Sequence, residues 1–173
     1  MKAGAAPSRL LMILGGALML WAWSRTTKGS ELIAKTVDLT LTRGLRNNNP
    51  GNIDRNFGTA WRGMSADQSS DSRFIVFDAP EWGIRAMARV LKVYVGRGLT
   101  SVRSIINTWA PPAENDTGAY VLAVARQLGV GPDDRISVMD FPALIAAIIQ
   151  HENGVQPYPD DVIARGIALE ETA

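Results

Sequence analysis

FPALIAAIIQHENGVQPY, residues 141–158, reads as an apolar-faced helix that ends on a carboxylate. Asp140 supplies a side chain able to cap its start, and Pro142 is tolerated in a first turn. Leu144, Ile145, Ile148 and Ile149 repeat at helical spacing. Gly154 is placed to close the helix in a left-handed conformation. Glu152 falls one turn after Ile148 and three residues after Ile149, so it is expected toward the apolar side. Burial and the negative end of the helix dipole both disfavour a charged carboxylate there. A general acid working near neutral pH needs that bias. The competing reading is a solvated glutamate at a frayed helix end.

The 173 residues suffice for one domain with a real core plus an appendage, and 46% hydrophobic with 20% charged residues is ordinary for a globular chain. A net charge of +1 does not point to nucleic acid as a partner. With no cysteine there is no disulfide, thiolate metal site or cysteine nucleophile. A single histidine leaves little for a His-rich metal site or a Ser-His-Asp triad. No metal or organic cofactor is expected.

Residues 1–25 stand apart. Lys2 and Arg9 precede the charge-free run LLMILGGALMLWAWS, which ends at Arg25. The run is short against the roughly 20 apolar residues of a spanning helix. Ala22 and Ser24 around Trp23 resemble a secretory cleavage site. Trp21 and Trp23 instead suit the interface of an uncleaved span, and this reading is preferred: a membrane anchor through residues 9–24, with a signal segment as the alternative. Residues 26–42, polar and Thr-rich, read as a linker, and 43–173 as the domain.

RGLRNNNPGNIDRNFGTAWRG, residues 43–63, is too rich in Asn and Gly for a helix interior, and Pro50 blocks continuation. Long ordered loops are uncommon unless functional. RFIVF, residues 73–77, is the one convincing strand, and a small sheet with Ile53–Trp61 is expected. Asp78-Ala79-Pro80-Glu81 then reads as a helix start, with Asp78 as cap and the helix stopping at Gly96 or Gly98. Thr100 is expected to cap a second helix, which carries Val102, Ile105, Ile106 and Trp109 on one face. Asp116 or Thr117 opens a third, ended by Gly129. A last helix spans roughly Pro159 to Glu170. The fold class is therefore mainly α (α+β), with a small β element.

These residues resemble a known family. LIAAIIQHENGVQPY resembles the catalytic helix of lysozyme-like lytic transglycosylases, in which an apolar helix ends in the acid Glu. RGLRNNNPGNI, FIVFDAPEWGIRAMARVLKVY and TSVRSIINTWAPPAENDTGAY together resemble phage virion lytic proteins of that superfamily, including the lytic enzyme of an enveloped double-stranded RNA phage. The element order in that set is circularly permuted, with the acid-bearing helix last. The resemblance covers about residues 43–160. It implies a lysozyme-like domain and cleavage of the MurNAc–GlcNAc β-1,4 bond of peptidoglycan. The N-terminal hydrophobic run lies outside the resemblance and fits a virion or bacterial membrane, with other virion proteins as expected neighbours. The Gly-Leu-Met-Gln motif of cellular lytic transglycosylases is absent, and Asn153 stands where a Ser usually follows the acid.

Carried over by motif, Glu152 is the acid that protonates the glycosidic oxygen and then takes the proton of the sugar 6-hydroxyl. A muramidase that uses water, or a peptidoglycan endopeptidase, is the enzymatic alternative. A non-catalytic virion membrane protein that binds cell wall is the alternative of another class. A hydrolase of the usual kind needs a second carboxyl. Glu81, Glu114, Asp54 and Asp78 are the candidates, although Glu81 and Asp78 are more simply helix-terminal groups. Amide side chains both donate to and accept from sugar hydroxyl and N-acetyl groups. Asn49 and Asn52, flanking Pro50-Gly51, are thus expected to line the groove, as are Glu114 and Asn115 in the turn APPAENDT. Tyr120 is expected to contact substrate or to orient a group in the site, since a buried hydroxyl needs a partner. Trp109 reads as core, and His151 as structural.

Overall fold

The computed structural model describes residues 41–55, 60–113 and 116–172. The anchor or signal expected at 1–25, nearly all of the expected linker, and the candidate contacts Glu114 and Asn115 lie outside the described residues. The unit Thr42–Ala173 is mainly helical. Its elements are α1 (Arg43–Arg46), α2 (Pro80–Gly96), α3 (Val102–Trp109), α4 (Thr117–Leu128), a 3-10 turn (Val138–Asp140), α5 (Phe141–Asn153) and α6 (Asp160–Glu171). Among the described residues no helix is long and apolar enough to cross a membrane.

Helix α5 runs through the centre. Leu144, Ile145, Ile148 and Ile149 are fully buried, which is the stripe that their spacing implied. They meet Met87 and Leu91 of α2, Ile105 and Ile106 of α3, and Val121 and Val124 of α4 in one apolar cluster. Helices α2 and α6 pack closely because Gly166 has no side chain; a Cβ there would lie 2.5 Å from Ile84 Cγ2. Buried Glu170 ties the same two helices together through Arg85 at 3.2 Å and Arg89 at 3.0 Å.

The helix starts differ from expectation in their chemistry. Ala79, not Asp78, precedes α2 and offers no side-chain cap. Ser101, not Thr100, caps α3 in a reciprocal box with Ser104. Asp140 does not cap α5; its carboxylate accepts from the Ser137 amide at 2.8 Å and closes the preceding 3-10 turn. At α4 the expectation holds: Asp116 accepts from the Ala119 amide, and Gly129 ends the helix at φ +71°.

The strand expected at 73–77 is not formed. Among the described residues there are only isolated antiparallel bridges, Asp54 with Phe74, Met64 with Phe77, and Ser101 with Arg135. The physical reason is that side-chain amides occupy positions a ladder would need. The Gln68 side chain accepts from the Val76 amide and donates to the Val76 carbonyl, at 2.9 and 2.6 Å. Asn49 donates to the Ile75 carbonyl at 2.9 Å. Only scattered backbone rungs remain, such as Ile75 to Ile53 and Arg55 to Arg73. Residues 73–77 are thus extended and half paired, with Ile75 and Phe77 pinned in a small second cluster beside Trp61 and Trp82.

Candidate functional site

Glu152 sits in the last turn of α5, half-buried, where the Asn-rich loop folds against the helix end. Gly154 ends the helix at φ +72°, a conformation that costs glycine little. Asn153 is turned inward and clamps the loop to the helix. Its amide donates to the Pro50 carbonyl at 2.8 Å and to the Ile149 carbonyl at 3.0 Å. Its oxygen accepts from the Thr42 hydroxyl at 2.6 Å. The sequence reading treated Asn153 only as a departure from the family pattern and missed this role. The signal available was its position after the helix stripe, beside a C-cap glycine.

Two donors hold the Glu152 carboxylate. Tyr120 of α4 donates its hydroxyl to Oε1 at 3.0 Å, and Asn52 donates its amide to Oε2 at 3.0 Å. Tyr120 is 2% exposed, so it is not the sugar-stacking surface that one reading expected; its ring stacks instead on His151, centroids 3.5 Å apart. Burial, then the nearby charge of Glu152, pushes the Tyr120 phenol far above its ordinary value. It therefore stays a donor at any working pH. Each contact is made by a neutral donor to one oxygen of the carboxylate.

The loop separates asparagines that look alike in sequence. Asn49, expected in the groove, is wholly buried and fully used. Its amide donates to the carbonyls of Ile53 and Ile75, and its oxygen accepts from the Ile53 amide, each at 2.9 Å. That residue shapes the turn and presents nothing to a ligand. Asn47 donates to Asp71 at 2.7 Å, and Asn48 to the Phe77 carbonyl at 3.0 Å. Asn52 alone of the four reaches the acid. It does so from a left-handed backbone conformation, φ +49°, which asparagine tolerates better than most residues. The loop lies flat on α2 because Gly83 leaves room; a Cβ there would be 2.1 Å from the Asn48 carbonyl oxygen.

Beneath the loop, Asp71 is 5% exposed and anchors the other side of the site. It accepts two hydrogen bonds from Arg43, at 2.6 and 2.5 Å, and others from Asn47 and the amides of Arg73 and Phe74. The Arg43 guanidinium, with the backbone and Asn47 donors, holds the Asp71 carboxyl well below the usual carboxylate range despite its burial.

A groove of about 620 Å3 opens beside Glu152. Asn52, Asp54, Trp61, Tyr94 and Trp109 are among its walls, so Trp109 is a wall residue as well as a packing residue. Tyr94 and Phe74 also line it, although their sequence context spoke only for helix face and strand. Of the second-carboxylate candidates, Asp54 lines this groove and accepts from Arg73 at 2.9 Å. Glu81 pairs instead with Arg165 of α6 at 3.1 Å. Asp78 lies exposed before α2. Among the described residues no cluster of acidic or histidine side chains could hold a metal ion.

No family model matches the chain. Protein P5 of Pseudoalteromonas phage PM2 is 43% identical over 127 residues, which covers 72% of this chain and 79% of that one. The name of that relative states no activity.

Proposed function

We propose that this chain, which belongs to the same family as Protein P5 of Pseudoalteromonas phage PM2, is a peptidoglycan-degrading lytic transglycosylase of lysozyme-like type. One observation carries the reading: a half-buried carboxylate, Glu152, stands at a sugar-sized groove and is gripped by two neutral donors. Protonated Glu152 gives its proton to the glycosidic oxygen as the bond to the anomeric carbon breaks. The carboxylate left behind is the species to which the Tyr120 hydroxyl donates, so that contribution grows as charge develops, while Asn52 holds the second oxygen. The same carboxylate then takes the proton of the 6-hydroxyl while that oxygen closes on the anomeric carbon, giving an anhydro sugar and restoring the acid. Trp61, Tyr94 and Trp109 supply apolar faces against which sugar rings can pack.

The relative is a phage protein, which supports a place in a virion; action on a bacterial wall and a hold on a membrane through the apolar run 9–24 are part of the same proposal and rest on the sequence. Asp54 on the same groove favours a second reading, a muramidase in which that carboxylate assists water or the oxocarbenium-like centre. Its contact with Arg73 keeps it engaged elsewhere, which places it second.

A Glu152→Gln variant should lose the ability to clear chloroform-treated cells while still binding purified sacculi. Mass spectrometry of muropeptides released by the wild type should show anhydro ends; reducing ends would replace the first reading with the second. Full lysis by Glu152→Gln would refute both as mechanisms that use Glu152, and absence of lysis by the wild type would leave a wall-binding protein.

A further inference from the structure

The Asn52 side chain is used on one side only. Its amide nitrogen serves Glu152, while its oxygen Oδ1 is buried with no partner among the described residues. An orphaned buried acceptor is uncommon in a folded protein and calls for a reason. The surroundings of that oxygen make it odder. A Cβ built on Gly44 would lie 2.7 Å from Asn52 Oδ1, 2.8 Å from Asn153 Oδ1 and 3.0 Å from the Asn49 carbonyl oxygen. Three acceptors thus converge where Gly44 makes room, the Asn52 oxygen being one of them. Turned over by half a rotation, the amide would present its NH2 to that cluster of oxygens and its oxygen to Glu152. An oxygen facing a carboxylate is repulsive, but facing a carboxylic acid it accepts a hydrogen bond from the acid O–H.

We infer that Asn52 is a two-position amide whose orientation follows the protonation of Glu152: nitrogen toward the carboxylate, oxygen toward the acid. In each state it keeps a hydrogen bond to the group, and only the ionised state leaves its oxygen unpaired. The cost of the orphan then falls on the carboxylate state. Other titratable and charged groups do not substitute for this partner. Tyr120 on α4 remains a donor, and His151 is stacked on it. Tyr94 on α2, with Asp54 and Arg73, lines the groove, and Asp54 and Arg73 contact each other. On α6, Arg165 is paired with Asp161 and Glu81, and Glu170 with Arg85 and Arg89. On α1, Arg43 is turned to Asp71 and Arg46 is exposed. Asn52 is a positioning residue, and its catalytic consequence rests on the reading of Glu152 as the acid.

The test needs no activity. The full-length chain, labelled with 15N and 13C in zwitterionic detergent, is followed by NMR from about pH 7.5 to about pH 3.5, across the ordinary carboxylate range. The Asn52 side-chain NH2 signals should move in one transition that coincides with that of the Glu152 side-chain carbon. In Glu152→Gln, with the remaining spectrum unchanged, that response should vanish. Asn52 signals that stay fixed while Glu152 titrates, or that respond equally in Glu152→Gln, overturn the inference. Lysis by Glu152→Gln, with the coupled titration present in the wild type, would overturn only the role of Glu152 as the acid.

Discussion

Replacing Tyr120 by Phe removes one atom from the site and keeps nearly everything else. The ring still fills its buried position and stacks on His151. What goes is the hydroxyl at 3.0 Å from Glu152 Oε1. A hydrogen bond to a charged group is worth roughly 1.5–3 kcal/mol. If all of it were expressed as charge forms on Glu152, the rate would fall about 10- to 150-fold, at 1.36 kcal/mol per tenfold. Glu152 is only half-buried, so water can hydrate the vacated oxygen and recover part of the loss. The expected fall is therefore near the lower end, about tenfold in the rate at saturating substrate, with little change in sacculus binding. Muropeptide release from purified sacculi measures it, alongside a thermal melt. A variant with the wild-type melt and a rate within about twofold of wild type would show that the Tyr120 contact carries no catalytic weight. That result would also weaken the assignment of Glu152 as the group that gains charge.

Two further predictions concern the frame of the site. Asp71 is depressed in the folded state, so its stabilising contribution is complete above the unfolded value of about 3.9 and drains away as pH falls toward its lower folded value. Asp71→Asn should lower stability at pH 7 by about 1.5–3 kcal/mol and flatten the loss of stability on acidification; urea midpoints at pH 7 and in acid would check this, and parallel acid curves for the two proteins would refute it. Gly83→Ala improves helix propensity by about 1 kcal/mol, but the new Cβ meets the Asn48 carbonyl oxygen, which is backbone and cannot simply swing away. A net destabilisation of about 1–3 kcal/mol is expected, with impaired lysis because the loop that carries Asn52 is displaced; a raised melting temperature would refute the packing argument.

The local patterns were sufficient for α2 to α6, but not for the short α1, which forms within the stretch 43–63 that reads as a loop. Apolar residues at 144, 145, 148 and 149, with Gly154 behind them, specify α5 because helix periodicity and left-handed termination are properties of a few neighbouring residues. The same holds for α4, where Asp116 and Gly129 mark both ends. The strand at 73–77 was misread because a run of β-formers does not say what will pair with it. Gln68 and Asn49 supplied side-chain partners in place of a neighbouring strand.

Within NNNPGN, residues 47–52, the sequence by itself marked a turn rich in amides, and in the helix of residues 141–153 it singled out Glu152 as the candidate carboxylate. Which asparagine would face that carboxylate was beyond local reasoning, since their side chains are chemically identical. The choice was made by contacts far apart in the chain: Asn52 with Glu152, Asn153 with Pro50, and Thr42 with Asn153, about 100 residues apart in each case. Once α5 and α2 pack and Gly83 admits the loop, Asn49 falls inside, where its polar atoms must all be paired. The left-handed turn at Asn52 then aims its side chain at Glu152. Residue type determined what each group could do; only the closure of the core decided which of them would do it.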